Sequence, residues 1–539
     1  MTTRISSCIP GFGRYVPSSL WPIAAVLAIG LAVRLIALAQ VTIINPDGIF
    51  YISQAKAIWS GQWDLVNLCQ LSYVSLYPFL IALGYYIVPD WILSGQLVAL
   101  VCSMGMLFIL YQLVRLFFNE IVSSLTILLL AVTPIFVRYS VDVMRDALFW
   151  FLFSLALWLF VQHMRKKTGS GYVYWLLTGS STAILLASWS RIEAIVLLPV
   201  SLLFLCVHWE NGRLKRLLAF LMPVVCAGLF GLLVALISDR DIFALVRVDE
   251  IFRKFSEPFQ SYKTLRLELK QLAGGYGFSL LGNYLESSYH TVWLTALGIL
   301  VSNAGEAFFY PYLVFYIAGW KEGIHRVRSS PQYQYMFLLL ACSFVVLFVH
   351  TQHYWVATYR FMTLLIFPSC VLAGLGVERI YGFLMRVCKL TGVKAGVLLA
   401  LAIVAVSLSK NIQKIEDDKR VYVRIGSTIA SLTSTEYPVV IAAKNSVAAR
   451  WITFYANVKK KGLSCFQPMA NDFASINDVM NAMHATEATF FLWEQESWEN
   501  SAAGRHPSEF LHLLKEIGRW QHKDTGQLVL FEKTSDQKP

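Results

Sequence analysis

Asp47 is the carboxylate best placed to do chemistry. It stands in the run Asn45-Pro46-Asp47-Gly48-Ile49-Phe50-Tyr51, directly after the first long apolar segment. Pro46 and Gly48 favour a turn around it. Downstream, Ile49, Ile52, Ala55, Ile58 and Trp59 recur at near-helical spacing, which predicts a short helix on the bilayer surface. An aspartate there either caps that helix or serves as a general base. Other ionisable groups gather on what hydropathy makes the same membrane face. Asp142, Arg145 and Asp146 form a turn between two apolar runs and are expected to pair locally. Ser190-Arg191-Ile192-Glu193 is a second such turn, with Arg191 and Glu193 as a natural pair. Tyr359-Arg360 opens a later run beside His350 and His353, and Glu306 opens another. Arg34 lies inside the first run, ~9 Å from its outer end at 1.5 Å per residue. It either snorkels to the headgroups or faces the site.

Charge at membrane depth is costly, so each of these groups is a functional candidate. Arginine outnumbers lysine at the short turns, and its planar fork suits phosphate oxygens. A carboxylate among arginines at the outer leaflet points to a lipid carrying a phosphate, with a reaction at its head. Arg191 and Arg360, assisted by Arg34, are expected to hold that phosphate. Asp146 and Glu193 are expected to bind sugar or orient the arginines. Asp239-Arg240-Asp241 matches Asp-x-Asp over only three residues. His350 and His353 do not make a zinc set. No cofactor is required; a divalent metal is compatible with such chemistry but not indicated.

The elements that must hold these groups are membrane helices. Of 539 residues, 57% are apolar and 14% charged, and the mean hydropathy is +0.57. A soluble chain carries roughly 25% charge. The formal charge of +12 sits mainly in short loops between apolar runs, which excludes nucleic-acid binding and marks cytoplasmic loops. Eleven spans are expected, at about 20–40, 92–116, 121–138, 146–163, 174–189, 193–208, 217–237, 306–320, 334–350, 360–377 and 393–409. The first is read as retained despite Ala37-Leu38-Ala39 at its end. With the N-terminus cytoplasmic, loops carrying Arg165, Arg213, Lys215, Lys321, Arg326, Arg386 and Lys394 fall inside. That asymmetry is reached with neither of two ambiguous apolar stretches, 73–88 and 291–304, crossing; 73–88, with Pro78, is read as interfacial or re-entrant, since its crossing alone would invert every later loop. Outward pieces are then the loops 41–91 and 238–290 and a C-terminal unit, 411–539, following a transmembrane domain, 1–410. The tail has β-like runs at 437–443, 488–492 and 528–531, a helical pattern from Ser508 to Ile517, and the size of a small α/β domain. No Asn-x-Ser/Thr triplet occurs, which fits a bacterial plasma membrane. Among the nine cysteines, Cys69 and Cys465 fall in outward segments, a candidate disulfide.

Arg34, then Asp47, Tyr51, Ala55 and Gly61, in that order, resemble the membrane glycosyltransferases of the GT-C fold. The nearest branches are the dolichyl-phosphate-mannose protein mannosyltransferases and the lipid A aminoarabinose transferases. The resemblance extends through Leu76-Tyr77-Pro78, Asp146, Ser190-Arg191-Ile192-Glu193 and Tyr359-Arg360 with Pro368, over residues 20–380. It implies inverting transfer of a sugar from a polyprenyl-phosphate donor to a lipid, glycan or protein acceptor at the outer face. It also implies that Asp47 is the catalytic base, with Tyr51 binding or orienting the sugar. Relatives have Asp-Glu where this chain has Asp47-Gly48, and one branch has Lys-Pro-Pro where it has Ser75-Leu76-Tyr77-Pro78. Without that lysine, an arginine must hold the donor phosphate. An oligosaccharide ligase or polymerase, or a lipid-linked sugar flippase, would use similar residues; a flippase would place its site at the midplane between repeats, and no repeat is visible.

Overall fold

The computed structural model describes residues 20–533 apart from 67–72, 166–170, 209–211, 239–247, 277–278, 357, 415, 435–437, 445–446, 463–475 and 500–505. Cys69, Cys465 and Asp239-Arg240-Asp241 lie outside the described residues.

The membrane part is helical throughout. It runs α1 (Trp21–Gln40), α2 (Pro46–Trp59), α3 (Leu76–Ile87), α4 (Trp91–Val114), α5 (Glu120–Ala131), α6 (Pro134–Tyr139), α7 (Asp146–Met164) and α8 (Gly171–Ser190). It continues with α9 (Leu197–His208), α10 (Arg213–Ser238), α11 (Val248–Tyr276), α12 (Leu280–Ala307), α13 (Leu313–Val327), α14 (Pro331–Tyr354), α15 (Thr363–Val387) and α16 (Gly392–Asn411). Among the described residues, 7 helices are long and apolar enough to cross a membrane. An eighth would be formed by Leu280–Ala307 with Tyr310–Val327, which meet at 84°.

Each of the eleven expected spans lies on helix, but four are not long straight apolar rods. Pro134 divides 121–138 into α5 and α6, because proline cannot donate to the turn before it. Serines and threonines interrupt 174–189 within α8. A 3-10 turn, Ile192–Val196, starts 193–208. The segment 306–320 falls across the bend at Phe309, whose φ of 65° ends one helix and aims the next. The stretch 73–88 forms α3, whose 12 residues reach ~18 Å, too short to cross. The expected loop 238–290 is mostly helix: α11 runs through Gly274-Gly275-Tyr276 without turning. Its charges were the misleading signal, since a helix whose polar face meets water carries them readily.

Helix packing is closest between α13 and α15. A Cβ on Gly319 would lie 2.0 Å from the Leu372 carbonyl oxygen, and one on Gly376 1.8 Å from that of Phe315. Only glycine lets the two backbones meet here, which holds α15, the helix that follows the turn carrying Arg360.

Arg34 does not snorkel. It is fully buried, donating from Nε to Ser103 Oγ at 3.0 Å and from Nη1 to the carbonyls of Gly30 (3.0 Å) and Ala131 (2.8 Å). These partners on α1, α4 and α5 tie three helices together. Nε and Nη1 of Arg34 are thus engaged in helix packing, while Nη2 has no hydrogen-bond partner among the described residues.

Beyond Asn411 lies a sheet of order β1-β2-β4-β3. β1 (Ile441–Ala443) pairs parallel with β2 (Phe490–Glu494); β4 (Gly526–Lys533) pairs antiparallel with both β2 and β3 (Leu514–His522). Helices α17 (Arg420–Leu432), α18 (Val447–Asn457) and α19 (Ile476–Ala485) accompany it. Three strands, β1, β2 and β4, overlap the β-like runs at 437–443, 488–492 and 528–531. The helix expected over Ser508–Ile517 is instead a 3-10 turn, Pro507–Phe510, leading into β3. Gly526, with φ of 72°, closes the β3–β4 hairpin, and pairing along its whole length outweighs a local helical pattern.

Candidate active site

The face of the helix bundle beneath the tail carries a ladder of alternating charges. Asp47 Oδ2 accepts a hydrogen bond from Arg360 Nη1 at 2.9 Å. The same Nη1 lies 4.0 Å from Asp146 Oδ2. Asp146 Oδ1 pairs with Arg191, whose Nε lies 3.4 Å from Glu193 Oε2. Glu193 Oε1 accepts from Lys254 Nζ at 2.8 Å, and Lys254 also pairs with Glu250 at 3.5 Å, one helical turn away. Five separate elements contribute: α2, the start of α7, the turn after α8, α11 and the turn before α15.

Local structure explains each placement. Asn45, not Asp47, caps α2: its side chain accepts from the Asp47 backbone N–H at 3.0 Å. The cap reading of Asp47 is thus overturned, and its carboxylate is left for Arg360. Gly48 meets the turn before α7, where a Cβ would lie 2.8 Å from the Val143 carbonyl oxygen. This chain therefore has room for backbone alone at position 48. Arg191 sits in extended backbone between α8 and the 3-10 turn. Its guanidinium lies 4.3 Å from the Phe361 ring centroid. That stack and the buried carboxylates hold an arginine that is only 4% exposed.

Asp142, Arg145 and Asp146 do not form the expected local pair. Asp146 turns to Arg191. Arg145 donates to the Tyr73 hydroxyl and lies over the rings of Tyr51 and Tyr73. Asp142 accepts the backbone N–H groups of Asn45 (3.0 Å) and Val143 (2.8 Å), pinning the approach to α2. Tyr51 is 4% exposed, edge-on to Tyr77 at 5.5 Å. It forms a wall beneath Arg145. Tyr359 donates to Glu306 Oε2 at 2.7 Å.

Burial is the main reason the Asp142 carboxyl is pushed up to about 6, against the help of its two N–H donors. A carboxyl whose folded pKa is raised costs stability when ionised, above about 6, and the cost fades as pH falls towards the unfolded value. Asp142→Asn keeps the acceptor oxygen and removes the charge. The variant is expected to melt above the wild type at pH 7.5, with the difference closing near pH 4. Thermal melts across that range check it; a pH-independent gap refutes it.

The ladder ends at an apolar cavity of about 740 Å³ between α9, α14 and α11. Pro199, Leu203, Phe259 and Val345 line its body; Glu193, Lys254, His350 and His353 line its polar end. His353 Nδ1 bonds Ser261 Oγ at 2.8 Å. Sequence reasoning missed Lys254, although Glu250 one turn before it was a usable signal that both lie on a helix.

One other cluster brings metal-type ligand atoms within 4.8 Å of one another: Asp418, His522 and Asp524 in the tail. His522 Nδ1 accepts backbone N–H groups from Asp524 (3.3 Å) and Thr525 (3.2 Å). Nε2 then carries the proton and points at Asp418 Oδ2, 3.6 Å away. The cluster brings the turn Asp417–Lys419, which follows α16, against the β3–β4 hairpin.

Residues 75–237 match the family described as dolichyl-phosphate-mannose-protein mannosyltransferase. Two groups of solved structures are similar over nearly the whole chain. The oligosaccharyltransferase AglB from Archaeoglobus fulgidus, solved with an inhibitory peptide and a dolichol-phosphate, gives a TM-score of 0.57 at 12% identity, over 97% of this chain and 75% of that one. ArnT from Cupriavidus metallidurans bound to undecaprenyl phosphate gives 0.58 at 11%, over 97% and 100%. The chain has the GT-C fold. ArnT in the apo state gives 0.57 at 11%, over 95% and 98%. No curated protein sequence matches. In GT-C terms, the ladder lies where the helix bundle meets the tail, with Asp47 just after the first long helix.

Proposed function

We propose that this chain is an inverting glycosyltransferase that moves a sugar from a polyprenyl-phosphate donor to a lipid, glycan or protein acceptor on the outer face of the membrane. The observation carrying this reading is the ladder itself: an apolar groove at one end, Asp47 at the other, and three cations interleaved between. The prenyl chain lies in the groove. Its phosphate meets Lys254, Arg191 and Arg360, each now held by a carboxylate that the phosphate replaces or joins. The sugar then lies towards Asp47. The phosphate ligands known for the AglB and ArnT structures, dolichol-phosphate and undecaprenyl phosphate, support the donor class.

The chemistry is one displacement. Asp47 takes the proton of the acceptor hydroxyl as its oxygen attacks the anomeric carbon. The bond from that carbon to the phosphate oxygen breaks, and the electron pair leaves with the phosphate. Fixed cations stabilise the charge gathering there. Arg360 has a double part. Turning from Asp47 to the phosphate, it releases the base as the donor is seated.

Arg360→Ala and Lys254→Ala are each expected to weaken polyprenyl-phosphate binding by about 10–100-fold, the worth of one charge-assisted contact. Arg360→Lys should recover only part, lacking the fork. Titration of purified protein with a polyprenyl-phosphate checks this; unchanged affinity in both alanine variants would place the phosphate elsewhere. The outward face rests on the distribution of basic loops. A cysteine replacing Ser60 should react with an impermeant reagent in intact cells, and one replacing Ser329 should not. The reverse pattern would invert the assignment.

A further inference from the structure

A second groove, of about 630 Å³, opens at the far end of α2 from the ladder. Asp47 and Lys56 are nine residues apart on that helix, so it begins ~14 Å from Asp47. One wall is aromatic: Trp59, Tyr85 and Trp91. Tyr85 stacks on Trp91 at 3.7 Å, and Trp59 meets Tyr85 edge-on at 5.5 Å. The other wall is the run Lys459-Lys460-Lys461 at the end of α18.

The cations differ in their commitments. Lys56 Nζ donates to the carbonyls of Asn457, Val458 and Lys460, closing the end of α18. Lys460, 5% exposed, donates to Thr433 Oγ1 at 2.5 Å. Lys459 and Lys461 are exposed and have no ion pair among the described residues. The one carboxylate of the lining, Asp90, caps α4 through the Leu93 N–H at 2.9 Å. The floor is thus built and the field is positive, with two cations to spare.

Its position selects the ligand. Next to it, α3 turns Leu83, Tyr86 and Ile87 outward, the last two 77% exposed. A short apolar helix edged with tryptophan and tyrosine sits at the depth of lipid headgroups. We infer that this groove binds the anionic headgroup of a membrane lipid, its phosphate between Lys459 and Lys461, its glycerol region against Trp59 and Trp91, and its chains beside α3. This site is separate from the donor groove and shares no lining residue with it.

The test uses the full chain in nanodiscs or mixed micelles, with lipid retention read by native mass spectrometry. Phosphatidylglycerol should be retained over phosphatidylcholine by the wild type. Lys459→Ala/Lys461→Ala should lower phosphatidylglycerol retention by about 10–30-fold, roughly the worth of two lysines at a membrane surface, and leave phosphatidylcholine unchanged. Lys459→Glu/Lys461→Glu should abolish the preference. Both side chains are exposed, so neither change empties a packed site. Equal retention of the two lipids, or a preference intact in the double variants, overturns the inference. So does full displacement of the lipid by millimolar inorganic phosphate, which would mark a site for a free anion.

Discussion

Asp47→Asn is expected to lower sugar transfer by about 10²–10⁴ with donor binding and melting temperature nearly unchanged. The structure makes this a clean substitution. Asp47 does not cap α2, because Asn45 does, so the helix start is not at issue. The asparagine carbonyl can still accept from Arg360, which lies 2.9 Å from the present carboxylate. What is lost is a group that takes a proton at neutral pH. Purified protein, a polyprenyl-phosphate-sugar pool and the native acceptor fraction make the assay. Transfer within a few-fold of the wild type would remove Asp47 from the chemistry. Lipid movement with no transfer product in either form would replace the enzyme by a flippase.

Arg191→Ala should fail differently. Its partner Asp146 has a side chain only 1% exposed. Removing one member of a buried ion pair leaves the other charge uncompensated, at a cost of about 3–5 kcal/mol. The variant should accumulate poorly and melt well below the wild type, before donor binding is asked about. Arg360, with a side chain 28% exposed, should show no such collapse. The combination Arg191→Met/Asp146→Leu removes both charges and should regain most of the lost stability without regaining transfer. A stable Arg191→Ala protein would mean that Arg360, at 4.0 Å, neutralises Asp146 alone.

The residues of this ladder differ in how far sequence could place them. Asp47, Asp146, Arg191, Glu193 and Arg360 were legible because charge beside apolar runs is rare and costly, so each stood out where it was written. Of their pairings, only Arg191 with Glu193, two residues apart and 3.4 Å in the structure, was legible. The local pairs favoured by spacing, such as Arg145 with Asp146, gave way to contacts across 45 and 313 residues. Arg34 stood out for the same reason and proved to be a buried brace between helices. Lys254 was hidden by the opposite effect: α11 is charged along its length, and one lysine among many carries no signal until packing turns it towards Glu193. Spans were legible from hydropathy, but breaks such as Phe309 arise from a single backbone angle that composition does not encode.

The segment leading into α2, and α2 itself, are held by the tail. Ile44 accepts from Trp451 Nε1 at 2.8 Å and donates to the Tyr455 hydroxyl at 3.1 Å, while Lys56 closes α18 from 401 residues away. Translation at ~5–20 residues per second separates those partners by about 20–80 s. Arg360, the last cation of the ladder to be made, precedes Trp451 by 91 residues, so for the final ~5–18 s of that interval all the ladder's cations are made while the segment carrying Asp47 still lacks its partners from the tail. Competence is thus the last thing synthesis delivers. On the proposed function, a chain stalled between Arg360 and Trp451 would carry its phosphate-binding cations with its base unsupported.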